Sequence, residues 1–267
     1  MSERTMTTQN KAFDQIYLVG RKVFLETLRR KDLYVLLILA GIFVLGILVV
    51  TLVGVENDST ANFLLNLGMT LAWFFAHVLV LLGAVRQIPD EIENKTIYPL
   101  LAKPLKRSRF ILGKWLALTL AGVIVLFVML ALGWGAPPKV FEYNNLLLLQ
   151  VILLYIISLL MLAALALLFS LFLPKAVNSI VLAVIVFTGE KILRFVENRA
   201  RGSVLNDVIQ WISGYIPNFA MLNLTTRYTD GMGPVPVSEF VAVILMSGVY
   251  TFFALTLSIY VFRRRNL

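Results

Sequence analysis

The sequence predicts an all-α membrane protein with six transmembrane helices, and three observations carry that reading. Of 267 residues, 59% are hydrophobic and only 15% charged, where soluble domains run at about 45–50% apolar and about 25% charged. Mean hydropathy is +0.85. The apolar residues fall into six runs near the ~20-residue length that a helix needs to cross a hydrocarbon core. Lysine and arginine collect in alternate connections between those runs, as in a chain that crosses back and forth.

Ahead of the first run, residues 13–30 place Phe13, Ile16, Tyr17, Val23, Phe24 and Leu28 on one helical face, with Gln15, Lys22, Glu26 and Arg29 opposite. A basic face beside an aromatic-rich one suits an interfacial amphipathic helix in the bilayer plane, with Arg21 and Lys22 as headgroup anchors. A cap packed on the protein itself is the alternative. Residues 1–32 are therefore assigned to a tail and interfacial helix, 33–262 to the membrane domain and 263–267 to a C-terminal tail.

The first three spans, 33–55, 62–85 and 110–134, are bounded by charges, prolines or polar turns. The fourth, 145–173, is longer than a perpendicular crossing needs, so it tilts or enters the interface before Pro174 breaks it. The fifth, 176–196, is purely apolar only to Thr188, after which Glu190, Lys191 and Arg194 follow at helical spacing. The sixth, 240–262, stops against Arg263, Arg264 and Arg265. Between the last two, residues 206–224 are apolar but interrupted by Gly214 and Pro217 and carry Trp211 and Tyr215. Such a stretch reads as short outer-face or re-entrant helices, or as an amphipathic loop helix. Residues 229–237 read as an exposed glycine- and proline-rich turn.

Orientation follows from the basic residues. Arg4, Lys11, Arg21, Lys22, Arg29, Arg30 and Lys31 precede the first span, and Arg86, Lys95, Lys103, Lys106, Arg107, Arg109 and Lys114 surround the second connection. The connection 56–61 has no basic residue and 135–144 only Lys139, so both termini are expected in the cytoplasm of a bacterial inner membrane. The first thirty residues hold no short apolar core of a signal peptide.

Composition also excludes chemistries. With no cysteine there is no disulfide, iron–sulfur cluster or thiol nucleophile, and one histidine, His77, cannot build a multi-histidine metal site. The net charge of +9 is interleaved with membrane-length apolar runs, so anionic lipid rather than nucleic acid is the expected counter-charge.

The second connection carries the functional signal. Asp90, Glu91 and Glu93 suit a helix terminus, Ile97, Tyr98, Leu100 and Leu101 form an apolar knob, and the basic residues after Pro104 fall before the third span. An apolar knob between charges is a docking element for another protein, or else an interfacial helix with snorkelling lysines. Arg107, Arg109 and Lys114 are the expected interfacial anchors.

These residues resemble the ABC-2 type permease family, the membrane subunits of one class of ABC transporters. That family shows an acidic residue, a Gly-Thr, two leucines, a proline, a basic residue, an aromatic and a Gly-Lys entering the third span. Here they are Glu93, Thr96, Leu100 and Leu101, Pro104, Arg107, Phe110, and Gly113 with Lys114, while Lys95 stands in place of the glycine. The resemblance implies that the connection 87–109 is a coupling helix on a separate ABC ATPase, with Glu91, Glu93, Thr96, Ile97, Leu100, Leu101 and Pro104 at the contact. It also implies work as a dimer with a second copy or a paralogue, and export rather than import. The chain has no GxxxxGK[ST] phosphate loop, since Gly113-Lys114 runs into Trp115 without the upstream glycine. ATP and Mg are therefore expected in the partner, no cofactor or metal in this chain, and no enzymatic activity of its own.

Inside the membrane, Glu190 and Arg194 are four apart and either pair with each other or line an exit path. His77, beside Trp73 and Phe74, is read as a packing histidine ahead of a proton relay, and Asn66 and Gln150 as interhelical hydrogen-bonding residues. A secondary transporter would want inverted repeats, which spans one to three and four to six do not display. An intramembrane enzyme would want a catalytic cluster, yet Asp32, Asp58, Asp90, Asp207 and Asp230 all fall in connections or at span ends. A non-transporting structural or regulatory subunit is the remaining rival.

Overall fold

The computed structural model describes residues 2–29, 31–52, 58–93, 107–133, 145–200 and 217–264. Among them only helices and their turns occur. They are α1 (Ser2–Arg29), α2 (Lys31–Leu52), α3 (Asp58–Glu93), α4 (Arg107–Gly133), α5 (Asn145–Ser170), α6 (Lys175–Ala183), a π turn (Val184–Thr188) and α7 (Gly189–Ala200), then a 3-10 turn (Phe219–Leu222), α8 (Thr225–Thr229) and α9 (Val237–Arg264). Without water to satisfy the backbone, a helix that closes its own hydrogen bonds is what an apolar segment can form.

Five of these stretches are long and apolar enough to cross a membrane: Asn62–Glu91, Arg107–Leu132, Asn145–Ser170, Lys175–Val196 and Val237–Arg264. The earlier helix α2 contributes a shorter apolar stretch, Leu37–Gly46. The core is built around α5, where Leu154, Tyr155, Ser158 and Leu159 and the run from Met161 to Leu168 are buried. Helices α3, α4 and α9 pack around it, while α2 and α9 turn wide apolar faces outward, among them Ile38, Ile42, Leu45, Val249, Phe252 and Phe253.

Close approach of the helices depends on small residues, the usual device where lipid removes the hydrophobic drive for association. A Cβ on Gly83 of α3 would meet Leu118 Cδ2 of α4 at 2.9 Å. One on Gly113 of α4 would meet the Ile16 carbonyl and Val19 of α1 at 3.0 Å.

That last contact seats α1 against α4. Gln15 accepts a hydrogen bond from Arg109, Val19 and Gly20 lie against Gly113, Gly20 faces Ala117, and Phe24 packs on the Leu79–Ala121 pair. Helix α1 thus packs on α4 through residues between Arg109 and Ala121, with the closest backbone approach at Gly113. The buried face is Val19, Val23 and Thr27, whereas Tyr17, assigned from the sequence to the apolar face, is exposed. Small residues set this contact, and an amphipathic pattern weighs bulk rather than closeness of approach.

Other boundaries shift for identifiable reasons. Helix α3 continues past Arg86 and through Pro89 to Glu93, with Asp90, Glu91 and Glu93 in its last turn paired to lysines. The fourth ends at Ser170, and the turn Leu171–Leu173, closed by bonds to Leu168 and Phe169, precedes Pro174. The fifth is one helical run interrupted by the π turn.

The two ends of the bundle differ. At one end lie the termination of α3, the start of α4, the α5–α6 turn and the end of α9, tied by Lys114–Glu91, Lys175 with Asp90 and Glu93, and Arg107 donating to the Phe262 and Arg263 carbonyls. At the other end the segment 217–236 is bonded back to α3 and α5. Its turn uses Gly231 at φ 66°, a left-handed conformation that glycine adopts without penalty.

Candidate functional site

The ion-pair cluster at the first of these ends surrounds the point where the chain leaves α3 for the second connection. Glu91 is carried by the last turn of α3 and Lys114 by the second turn of α4. Lys114 Nζ donates to Glu91 Oε2 at 2.7 Å and to the Gln87 carbonyl at 2.7 Å, and lies 4.5 Å from the centre of the Phe110 ring. An ammonium has three N–H donors and no other way to be satisfied out of water; the carboxylate, the carbonyl and the negative ring face answer them. Lys114 is completely buried, so this residue is a strut between α3 and α4 and not the headgroup anchor read from the sequence. Its Coulomb attraction acts where no solvent screens it.

A second lysine, absent from the sequence-based candidates, completes the cluster. Lys175, the first residue of α6, donates to Asp90 Oδ1 at 2.7 Å and Glu93 Oε2 at 2.6 Å. The available signal was a lysine directly after Pro174 in a connection on the same side as the second one. Arg107 caps the last carbonyls of α9 and its guanidinium lies over Phe262, which stacks on Phe110. Of the remaining expected anchors, Arg109 bonds Gln15 and Arg21 and Lys22 are exposed on α1. Thr96, Ile97, Leu100, Leu101 and Pro104 lie outside the described residues.

A second polar cluster lies in the bundle interior. His77 Nδ1 is 2.7 Å from the Trp73 carbonyl and Nε2 is 2.8 Å from Ser158 Oγ of α5. The Trp73 ring lies against the imidazole with centroids 4.2 Å apart, Phe187 of the π turn meets Trp73 edge-on at 5.5 Å, and Phe219 approaches His77 edge-on at 6.4 Å. A carbonyl only accepts, so in the neutral ring Nδ1 carries the hydrogen and Nε2 faces the Ser158 hydroxyl, whose one hydrogen also has the Tyr155 carbonyl as an acceptor at 2.7 Å. The histidine is thereby engaged on both nitrogens by α3 and α5. Neither Ser158 nor the aromatic ring of residues from the fifth span and the 3-10 turn was visible as a partner in the sequence, because they are far apart along the chain.

Nearby, the Tyr155 hydroxyl bonds Thr225, whose amide is capped by Asn223. Asn66 donates to Thr229, and Gln150 pairs with both backbone groups of Val235, donating at 3.0 Å and accepting at 2.9 Å. Asn66 thus makes an interhelical bond, from α3 to the Thr229 side chain of α8, while Gln150 holds the peptide groups of Val235 in the connecting segment. Glu190 and Arg194 form the predicted i, i+4 pair on the surface of α7.

A family model for ABC-2 family transporter proteins matches residues 49–260, from the end of α2 to the last turns of α9. Comparison with curated proteins gives no match.

Proposed function

Because the chain belongs to the ABC-2 family of transporter proteins, and so is a permease subunit of an ABC transporter, we propose that it forms half of an export pathway driven by a separate ATPase docked on the connection between α3 and α4. The observation behind this reading is the charged cluster at the root of that connection. Asp90, Glu91 and Glu93 are each held by a lysine from another helix, so the segment that follows leaves from a braced base. A braced base suits a segment that must receive force from a partner.

In this reading α2 is the first of six spans, the end bearing Lys114, Lys175 and Arg107 faces the cytoplasm, and both termini lie there. The contact on the ATPase is made by Thr96, Ile97, Leu100, Leu101 and Pro104, with ATP and Mg bound by the partner. Two copies of the chain, or one copy and a paralogue, enclose the pathway; the outward apolar faces of α2 and α6 are available to lipid and to the second copy. Co-purification of the tagged chain in nanodiscs tests this. An ABC ATPase retained by the parent and lost from Ile97→Ala/Leu101→Ala supports docking, and a chain that never retains one refutes it.

A further inference from the structure

The two lysines at the end of α3 are built differently. Lys114 and Glu91 are 0% and 12% exposed, while Lys175, Asp90 and Glu93 are 32%, 30% and 64% exposed. A buried charge deprived of its partner is left in a medium that cannot solvate it. An exposed ion pair is replaced by water at little cost. On these grounds the first bond is costly to break and the second is cheap.

The surrounding backbone favours the same division. Pro89 sits inside α3 and offers no N–H to the Val85 carbonyl, so the turn carrying Asp90, Glu91 and Glu93 is joined to the rest of the helix by one hydrogen bond fewer. Lys175 is the opening residue of α6, where a positive charge works against the helix dipole. Nothing in α6 itself accounts for a lysine there. The two carboxylates from α3 do, since they supply negative charge both to the ammonium and to the positive end of the helix.

We propose that Lys175 is a positioning residue that passes movement of the last turn of α3 to α6, while Lys114 ties the same turn to α4. The proposal rests on the ATPase-docking reading above. Phe187 of the π turn behind α6 packs on Trp73 and Phe74, and the buried Asn178 amide of α6 donates to the Ala166 carbonyl of α5 at 3.2 Å, so displacement of α6 is resisted by an aromatic cluster and by one buried hydrogen bond.

The chain has no native cysteine, so nitroxide labels at Phe63→Cys of α3 and Ile180→Cys of α6, both exposed, in a labelled chain diluted with unlabelled copies report the separation of α6 from α3. Their separation is measured by pulsed electron resonance on the chain purified with its ATPase, before and after ATP with vanadate. The expected result is a shift in the parent that is lost in Lys175→Gln and kept in Lys175→Arg, with equal ATPase retained by all three. A shift in Lys175→Gln equal to the parent's, no shift in the parent with ATPase bound, or loss of the ATPase from Lys175→Gln overturns the proposal. Failure of the parent to retain any ATPase overturns the docking reading beneath it.

Discussion

Lys114 and Glu91 meet at 2.7 Å with the lysine side chain wholly out of solvent, and the bond joins the last turn of α3 to α4. Removing one partner of a buried pair strands the other, at a cost of about 3–5 kcal/mol, whereas replacing both with apolar residues of similar volume is nearly neutral. Lys114→Met is expected to lower stability by that amount, and Lys114→Met/Glu91→Leu to recover most of it. Unfolding by titrated denaturing detergent, followed by tryptophan fluorescence, measures the cycle. Equal losses in single and double variants would show that the pair is not the source of the effect.

The contact of α1 with α4 makes a contrasting pair of glycine substitutions. A Cβ on Gly113 meets the Ile16 carbonyl and Val19 at 3.0 Å, whereas one on Gly41 of α2 meets nothing within 4 Å. Gly113→Ala is expected to cost about 1–3 kcal/mol through overpacking, and to speed tryptic cleavage at the exposed Arg21 and Lys22 as α1 lifts. Gly41→Ala is expected to be neutral or to stabilise by up to about 1 kcal/mol, the difference in helix propensity. Unchanged cleavage in Gly113→Ala would place α1 elsewhere.

The legible part of this molecule was its apolar periodicity, and the illegible part was pairing between distant residues. Runs of membrane length located the cores of α3, α4, α5 and α9 within a few residues, because in lipid the length of an apolar run is itself the constraint. That helix α3 continues past the charges at Arg86, Asp90 and Glu91 was not legible, because the two lysines that pair with its carboxylates are remote in sequence. The same blindness turned Lys114 into an anchor and left Lys175 unremarked. Glu190 and Arg194 were legible because their spacing alone brings them together. His77 was read as a packing residue because its own span offers no acidic partner, while Ser158, which it meets in the structure, belongs to α5 and could not be inferred from sequence spacing.

Gln150 treats the Val235 peptide as a base pair treats its partner, giving one bond and taking another. Gln150→Leu leaves that N–H and C=O without partners at an expected cost of about 1–3 kcal/mol. Hydrogen exchange read by mass spectrometry is expected to rise for the peptide covering Val235 while α5 around Gln150 stays protected. Protection retained at Val235 would mean that another group holds it.

His77 is the single histidine of the chain, so uniformly 15N-histidine-labelled protein gives one imidazole to observe. The Trp73 carbonyl at 2.7 Å demands a hydrogen on Nδ1, which leaves Nε2 to accept from the Ser158 hydroxyl at 2.8 Å in competition with the Tyr155 carbonyl at 2.7 Å. The ring is therefore expected in the Nδ1–H form, the minority tautomer of free histidine, with a protonated 15N resonance for Nδ1 and an unprotonated one for Nε2. Ser158→Ala removes the donor to Nε2 but not the carbonyl that selects the tautomer, so the assignment should persist with Nε2 shifted. An Nε2–H ring in the parent would reverse the hydrogen bond and make Ser158 an acceptor, in which case the Trp73 carbonyl does not orient the imidazole.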